Sequence, residues 1–306
     1  MNQQIKSCRN CSEISFKPVG YRPLGAFFGT YGLNIKANIF ARGRYKIQKV
    51  IGSSGIKILD WIINYFVKSS IMISYGACES CKVISPWSEI PDSWLYDYYA
   101  NYLSPDYKNA RIKLEPGYSA IAELHGCDEE IKMRQSQHQN FIVPLLEKNR
   151  EAVKKAIIDC LDFGGGSGKV IPKKDWIRSE SVDIGNGSIK NLNKMYDFIQ
   201  ILHVLEHVGN PSNTLDKALK VLTNDGLVYI EVPWEMYDFN HLVKNEYNGI
   251  ICDEHINKYC DKSIQALVES KKLKIELLQE SYVQLLHSKE PVKVVKCLAR
   301  RISASY

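Results

Sequence analysis

A glycine-rich loop after an apolar run is the first segment of the sequence whose residues are arranged for chemistry. Residues 157–161 are mainly apolar, and Asp162-Phe163-Gly164-Gly165-Gly166-Ser167-Gly168 follows them directly. Glycines after a buried strand let the backbone turn sharply and approach a ligand, because no Cβ atom stands in the way. A surface turn also uses glycine, but it lacks the preceding strand. The sequence therefore predicts a nucleotide-type cofactor site lined by Asp162, Gly164, Gly165, Gly166 and Gly168.

An acidic residue lies at the spacing expected for a ribose contact. Asp183 stands 19 residues after Gly164, within the second predicted strand at 181–184. A carboxylate there can accept hydrogen bonds from both ribose hydroxyls. The alternative is an Asp that caps the turn before Gly185. The segment between loop and strand is short and contains Pro172, which argues against an ordinary dinucleotide fold.

Two cysteine pairs of identical spacing form a second reactive group. Cys8 and Cys11 are two residues apart, as are Cys78 and Cys81, with 66 residues between the pairs. Thiolates on one tight turn bind one side of a tetrahedral zinc, and a second turn completes the site. A single pair could be a redox centre. Two pairs favour a structural zinc site whose intervening residues form a subdomain, and we expect the other five cysteines to be small buried residues.

Apolar runs alternate with helical patterns from about residue 151 onward. The strands are expected at 156–162, 181–184, 196–202, 226–232 and 273–278, and the helices at 213–222 and 263–270. Strands and helices in this order predict a parallel α/β sheet with helices on both faces. We therefore divide the chain into residues 1–90, a zinc-binding module with a basic insertion; 91–150, a Tyr-rich helical segment on the substrate side; and 151–306, the cofactor-binding domain.

The motifs of this last region resemble those of class I methyltransferases, which use S-adenosylmethionine. The resemblance covers residues 155–285 and includes the glycine loop, His203-Val204-Leu205-Glu206-His207-Val208, Asn210-Pro211 and Glu231-Val232-Pro233. It implies a Rossmann-like doubly wound fold in which the loop glycines face the cofactor, His203 and Glu206 border the pocket and Leu192 contacts the adenine. The two histidines do not follow the His-Glu-x-x-His pattern of zinc enzymes, so we expect no metal there.

The cysteine pairs narrow the resemblance to the sugar C-methyltransferases and related glycan-tailoring enzymes. Leu95-Tyr96-Asp97-Tyr98-Tyr99 is similar to their Tyr-rich motif, and Asp253-Glu254-His255-Ile256 with Tyr259 to their Glu-His segment. The resemblance implies that His255 is the catalytic base, with His207 and Glu206 as alternatives, since a neutral imidazole is available near pH 7. Tyr98, Tyr99 and Tyr102 would contact the substrate as part of a helical lid. The alternatives are a packing role for His255 and a core role for the tyrosines.

Two departures from the sugar C-methyltransferases favour methylation of oxygen. Cys252-Asp253 stands where those enzymes have Tyr-His, and their second α/β domain has no counterpart in this sequence. We expect an O-methyltransferase of a sugar, glycan or phosphorylated metabolite. The alternatives are C-methylation of a nucleotide-linked ketosugar, RNA methylation, or a non-catalytic zinc- and cofactor-binding partner protein. No base-pocket or RNA-binding motif supports a nucleic-acid partner.

Composition limits the remaining possibilities. The chain of 306 residues is 45% hydrophobic, enough for a full core, and its net charge is +6. No acidic residue occurs between Glu13 and Asp60, although eight Lys and Arg residues lie there, so the sequence predicts either an anionic partner or a solvated basic face. No signal peptide is evident, and the most hydrophobic window, residues 56–73, contains charged residues. We expect a cytoplasmic protein without a transmembrane segment.

Overall fold

A computed structural model describes residues 6–23, 72–87, 90, 95, 99, 101–165, 168–183, 194–235 and 254–302. Tyr98, Gly166, Leu192 and most of the basic stretch between Glu13 and Asp60 lie outside these residues. In chain order the elements are β1 (Phe16–Pro23), β2 (Met72–Cys78), β3 (Ile84–Pro86), α1 (Pro105–Leu114), α2 (Asp128–Ala152), β4 (Ile158–Phe163), β5 (Ile177–Val182), β6 (Tyr196–Leu202), α3 (Pro211–Leu219), β7 (Leu222–Pro233), α4 (Asp261–Ser270), β8 (Leu273–Val283) and β9 (Val292–Arg301).

The larger sheet has six strands in the order β5-β4-β6-β7-β9-β8. The first four run parallel, whereas β9 is antiparallel to both β7 and β8. The sheet is therefore mixed, and the uniform strand–helix alternation expected from the sequence ends after β7. Strand β9 was not predicted, because charged residues such as Lys293 and Lys296 interrupt its apolar pattern.

The second strand begins earlier than the sequence predicted. We expected residues 181–184, but β5 spans Ile177–Val182 and ends one residue before Asp183. Strand β5 lies at the edge of the sheet, and four of its six residues are exposed. An edge strand needs few apolar side chains, so its Arg-Ser-Glu-Ser sequence gives no hydrophobic signal.

Strand β4 separates two hydrophobic layers through the alternation of its side chains. Leu161 and Phe163 join the layer formed with α3 and α4, whereas Ile158 and Cys160 join the layer formed with Ile142 and Leu146 of α2. All of these side chains are buried, because successive residues of a strand point to opposite faces and this strand is covered on both. The sheet thus has helices on both faces, as predicted.

Capping residues fix where the helices begin. Helix α2 starts after Cys127, whose Sγ accepts a hydrogen bond from the Glu130 N–H, and three acidic residues occupy its first turn. Helix α3 starts after Asn210, whose side chain accepts from the Asn213 N–H, and Pro211 occupies its first position. These are favourable residues for a helix N-terminus, because they satisfy free N–H groups or offset the helix dipole. None of the described helices is long and apolar enough to cross a membrane.

The smaller sheet, β1-β2-β3, packs on the α3 and α4 side of the large one. Ile84 of β3 exchanges two backbone hydrogen bonds with Lys258, at 2.8 and 3.3 Å. Asn10 donates from Nδ2 to the Ser263 carbonyl at 2.7 Å. These contacts attach the N-terminal module to the segment that leads into α4.

Asn257 joins that same segment to the turn after β6. Its Nδ2 donates to the carbonyls of Leu205 and Val208 at 2.9 and 2.7 Å, and its backbone N–H donates to the Glu206 carbonyl at 3.0 Å. The residue is buried. It therefore holds two chain segments, 205–208 and 254–260, at a fixed distance.

We expect Asn257→Ala to lower the free energy of unfolding by about 2 to 4 kcal/mol, because two buried carbonyls lose their donor. Urea denaturation followed by circular dichroism measures the change. Asn213→Ala is the matched control and should change stability by less than about 0.5 kcal/mol, since Asn213 is exposed and contributes its backbone N–H to the helix cap. Equal stability of the two variants would show that Asn257 does not join the segments.

Candidate active site and cysteine cluster

Polar side chains occupy the carboxyl ends of the parallel strands on the face that α2 covers. Asp162 pairs in register with Gln200, and Leu202 with Glu231. Below them on the same face the side chains are apolar, as in Cys160, Phe198 and Leu227 of the buried layer. The carboxyl edge of a parallel sheet is where α/β proteins bind ligands. The polar layer thus marks one wall of a site.

The glycines of the loop after β4 have conformations and surroundings that other residues do not tolerate. Gly164 and Gly168 have φ angles of 89° and 66°. A Cβ on Gly165 would lie 1.8 Å from Asp162 Oδ2. The Gly164 N–H donates to the Val182 carbonyl at 2.8 Å, which places Asp183 beside the loop. The predicted cradle is formed by these residues; Gly166 lies outside the described part.

Asp162 is buried, and its Oδ1 has no hydrogen-bond partner among the described residues. Burial raises the pKa of its carboxyl group to about 6, and Gln200 and the guanidinium of Arg134 reduce that rise. A buried oxygen without a donor is rare in a folded protein and indicates a ligand that supplies one. The ammonium group of a bound amino-acid moiety would satisfy it, so these residues fit S-adenosylmethionine.

His203 connects the cofactor wall to the turn after β6. Its Nδ1 lies 3.3 Å from Glu206 Oε1 and its Nε2 lies 3.2 Å from Glu231 Oε1. Burial lowers the pKa of the imidazole, but the two carboxylates outweigh burial and the net shift is upward. The backbone of His203 has a φ of 52°, which is strained for a residue with a side chain. The imidazole thus lies between two carboxylates.

Glu206 and His207 follow on the same turn and differ in charge. Glu206 is fully buried, and although burial opposes ionisation, its imidazole neighbours hold its pKa at about 2. Burial and the charge of His255 lower the pKa of His207. His207 Nδ1 lies 2.9 Å from the Glu254 carbonyl and 2.6 Å from Tyr99 Oη. When Nδ1–H donates to the carbonyl, which can only accept, Nε2 is the basic nitrogen of the ring.

His255 stands against His207, with ring centroids 4.8 Å apart. Its Nδ1 lies 3.0 Å from Glu235 Oε1. A carboxylate accepts from Nδ1–H, so the Nε2 of His255 is also left basic. Burial raises the pKa of Glu235, but the hydrogen bond and charge of His255 outweigh burial, and the net shift of the pKa is downward. The carboxylate therefore stays ionised. The Glu235 carboxylate thus orients the imidazole of His255 through its Nδ1.

Glu206, His207 and His255 form one cluster of an acid and two imidazoles. Each offers a ligand atom, and these atoms all lie within 4.8 Å of one another. His207 Nε2 and Glu206 Oε1 are 3.8 Å apart. The cluster has groups suited to proton transfer, and the absence of a metal here stays a prediction from the sequence.

Aromatic residues line the other side of the imidazole pair. Tyr99 Oη lies 2.6 Å from His207 Nδ1, and the Tyr99 ring contacts Tyr102 edge to face. Tyr102 is 37% exposed. Glu254 accepts from Tyr107 Oη at 3.2 Å. The structure therefore brings the predicted residue Tyr99 to His207, with Tyr102 packed behind Tyr99.

Sequence reasoning missed three polar residues of this region. Gln200 and Glu231 were overlooked because each stands in an otherwise apolar strand. Glu235 follows the predicted strand, and its position two residues after Pro233 gave the only signal. The contact with His255, 20 residues later, depends on tertiary structure.

The four cysteines of the N-terminal module form one compact cluster. Cys8 Sγ lies 3.8 Å from Cys81 Sγ, and Cys11 Sγ lies 3.7 Å from Cys78 Sγ. Four sulfurs bonded at about 2.3 Å to a tetrahedral zinc are about 3.8 Å apart. The predicted ligands thus have the spacing that zinc requires.

Donors around the sulfurs strengthen this fit. The Asn10 N–H points to Cys8 Sγ and the Cys81 N–H to Cys78 Sγ, both at 3.4 Å. Ser15 Oγ lies 3.0 Å from Cys78 Sγ. Such donors stabilise thiolates and orient metal ligands. If zinc binds, these four cysteines would hold it and it would serve the fold, because no position remains open for a substrate.

Comparison with known proteins identifies a methyltransferase domain. Residues 134–277 match a family described as "Methyltransferase domain". No curated protein matches the chain in sequence. The matched residues include the glycine loop and the turn after β6.

Solved structures similar to the chain are methyltransferases of low identity. A SAM-dependent methyltransferase from Methanosarcina mazei is 12% identical, covers 48% of this chain and 93% of its own, and has a TM-score of 0.36. The N-methyltransferase NodS from Bradyrhizobium japonicum, in complex with S-adenosylhomocysteine, is 13% identical, covers 68% and 98%, and also has a TM-score of 0.36.

We expect purified protein to contain about one zinc ion per chain. The double variant Cys8→Ser, Cys81→Ser should lose zinc binding, because serine does not replace a thiolate. Inductively coupled plasma mass spectrometry measures the metal. Cys127→Ser is the control: it should retain zinc, since Cys127 only caps α2 and serine caps a helix well. Iron in place of zinc, or four free thiols without metal, would contradict the prediction.

We expect S-adenosylhomocysteine to bind about tenfold more weakly at pH 5 than at pH 7.5. Its ammonium group prefers ionised Asp162, and about a tenth of a carboxyl group with a pKa of about 6 is ionised at pH 5. Affinity therefore rises with pH through this pKa. Isothermal titration calorimetry measures the dissociation constant.

Asp162→Asn should remove this pH dependence, because the amide does not titrate. Asp159→Asn is the control and should keep it, since ion pairs with Arg178 and Lys194 hold the pKa of Asp159 at about 2. The same pH profile in wild type and Asp162→Asn would rule out Asp162 as the titrating group.

Proposed function

We propose that this chain transfers a methyl group from S-adenosylmethionine to a hydroxyl oxygen of a sugar or another polyhydroxylated small metabolite. One observation carries the proposal: two imidazoles, His207 and His255, lie side by side with their Nδ1 atoms held by acceptors. An imidazole that carries its proton on Nδ1 can accept a second proton at Nε2. A hydroxyl acceptor needs such a base, because an alcohol is a weak nucleophile until its proton leaves.

His255 is the better placed of the two bases. Its side chain is 27% exposed, against 15% for His207. The proton of the acceptor hydroxyl moves to His255 Nε2 as the oxygen attacks. Glu235 holds the ring through Nδ1 and stabilises the imidazolium that forms. The ionised Glu206 lies nearby and favours the positive charge.

The bound cofactor supplies an electrophilic methyl group on a sulfonium. The acceptor oxygen forms a bond to the methyl carbon while the carbon–sulfur bond breaks, and its electron pair stays on sulfur. The protein contributes alignment of the two reactants and a site from which water is excluded. Asp162 and the loop glycines would hold the cofactor at the carboxyl edge of the sheet, and Asp183 would hold its ribose. Leu192 remains a predicted adenine contact.

The aromatic side chains support a sugar-like acceptor. Tyr99 lies edge to face with His207, and Tyr102 lies edge to face with Tyr99. Aromatic rings pack on the apolar faces of sugars, and phenolic hydroxyls bond to sugar oxygens. Tyr98 remains a predicted third contact of this kind. The predicted anionic partner rests on the basic stretch between Glu13 and Asp60, most of which lies outside the described residues.

The cysteine cluster would support the acceptor side of the site. Tyr259 lies between the two regions: its pKa is raised first by burial and then by charges that include Glu206 and Cys81. Ile84, three residues after Cys81, pairs with Lys258, and His255 is three residues before Lys258. A structural zinc would therefore stabilise the segment that carries the proposed base.

Label transfer from S-[methyl-¹⁴C]adenosylmethionine tests the function. The purified protein is incubated with a panel of nucleotide sugars, free sugars, a ketosugar nucleotide and RNA. Incorporation into a hydroxyl, identified by mass spectrometry and NMR, is the expected result. A carbon-bound methyl on the ketosugar, or label in RNA alone, would replace the proposed acceptor.

In this assay we expect His255→Gln to lower kcat by about 100-fold or more, because glutamine cannot take the proton. Glu235→Gln should lower kcat by about 10- to 100-fold through misplacement of the imidazole. The double variant should lose no more than His255→Gln alone, since both changes remove one function.

Glu269→Gln is the control for the second change. Glu269 is exposed on α4, and its side chain accepts a hydrogen bond from Gln265. It should retain wild-type activity. Undiminished turnover in His255→Gln would transfer the role of base to His207.

A further inference from the structure

A cavity opens between α2 and the polar layer of the sheet. Arg134, Gln137 and His138 line it from one helix face, because residues three and four apart in a helix lie on the same side. Val170 lines it next to the glycine loop, and His203 lines it at the end of β6. The cavity therefore adjoins the cofactor cradle.

Three buried polar atoms of the described residues lack partners at this wall: Asp162 Oδ1, Gln200 Nε2 and His138 Nδ1. They belong to adjacent positions, because Asp162 and Gln200 are in register and His138 Nε2 lies 2.9 Å from Gln200 Oε1. Unpaired buried donors and acceptors at one place indicate a polar ligand. An amino-acid group, with both an ammonium and a carboxylate, satisfies such a wall.

Four basic residues line the cavity, and three of them are already engaged. Lys296 lies 3.8 Å from Glu231 and over the Phe141 ring. His203 stands between Glu206 and Glu231. Burial lowers the pKa of His138, so its imidazole is neutral. None of the three is available to a carboxylate of the ligand.

Arg134 is the fourth basic residue. It is half-buried, and it has no ion-pair partner in the part of the chain that the structure describes. A guanidinium binds a carboxylate through two parallel hydrogen bonds, the strongest recognition a side chain offers for that group. A cation without a partner on a cavity wall is thus suited to an anionic ligand group.

We infer that Arg134 binds the methionine carboxylate of S-adenosylmethionine, while Asp162 binds its ammonium group. The two charges of the amino-acid moiety would then meet two opposite charges, that of Arg134 on the cavity wall and that of Asp162 at the adjacent end of β4. Gln137 supports the arrangement, because it exchanges hydrogen bonds of 3.0 Å with Gln284 and so fixes α2 to the segment after β8. The inference rests on the cofactor assignment and requires no particular acceptor.

The test compares two ligands by isothermal titration calorimetry in the absence of acceptor. One is S-adenosylhomocysteine; the other is its decarboxylated analogue, which keeps the ammonium and nucleoside but lacks the carboxylate. Arg134→Ala should weaken S-adenosylhomocysteine binding by about 10- to 100-fold, the range for a hydrogen bond between charged groups. Binding of the analogue should change less than about twofold, because it makes no such contact.

Lys132→Ala is the control, since Lys132 is exposed on the same helix, and both ligands should bind to it as to wild type. Arg134→Lys should recover part of the loss, because a single ammonium keeps the charge but not the paired geometry. An equal loss for both ligands in Arg134→Ala would overturn the inference and give Arg134 a structural role. Unchanged binding of both ligands would also overturn it, and would leave Arg134 to an anionic group of the acceptor.

The outcome is separable from that of the proposed function. Loss of carboxylate selectivity in Arg134→Ala supports the inference even if no sugar accepts label. Conversely, label transfer to a sugar hydroxyl with unchanged selectivity would support the proposed function and reject the role of Arg134.

Discussion

The parallel pairing of β4, β6 and β7 is the constraint on which the site depends. It places the carboxyl ends of three consecutive strands at one edge, so that Asp162, Gln200 and Glu231 meet although they are far apart in sequence. Buried apolar residues on the same face hold the strands together. The polar residues at the carboxyl ends are buried as well, and some of their side-chain atoms lack hydrogen-bond partners among the described residues. The stability of the lower layer therefore makes the chemistry of the upper layer possible.

Charge balance follows from that constraint. Glu206 and Glu231 are carried into a buried region by the turn and strand to which they belong. Isolated carboxylates there would be strongly disfavoured, and His203 between them makes both ionised forms tolerable. The strained backbone of His203 is consistent with this role, because a relaxed residue would point its side chain elsewhere.

Much of this could be read from the sequence, and the reasons for the failures are physical. Strands β4, β6 and β7 are buried on both faces, so their apolar runs are easy to recognise. The cysteine spacing predicted the cluster because two residues between thiolates suffice to make a knuckle. Strand β5 was misplaced because an edge strand tolerates polar residues, and β9 was missed because charged residues interrupt its apolar pattern.

Single charged residues were the hardest to assign. Arg134 and Glu235 belong to no motif, and their surroundings are set by contacts between segments distant in sequence. His255 was assigned by resemblance, but its proximity to His207 depends on the hydrogen bonds of Asn257, which no local pattern encodes. The periodicity of apolar residues indicates which side chains are buried. The surroundings of a single charged residue depend instead on tertiary structure.

The two halves of the site are built differently. The cofactor half belongs to the sheet itself, where backbone pairing and buried side chains leave little freedom. The acceptor half is assembled from the turn at 205–207, the segment at 254–260 and the tyrosines before α1, joined mainly by side-chain contacts and by the pairing of Lys258 with Ile84. Changes in those segments can alter the proposed acceptor half without disturbing the strands. The N-terminal module packs against the segment that bears His255, so its folding bears directly on the acceptor half.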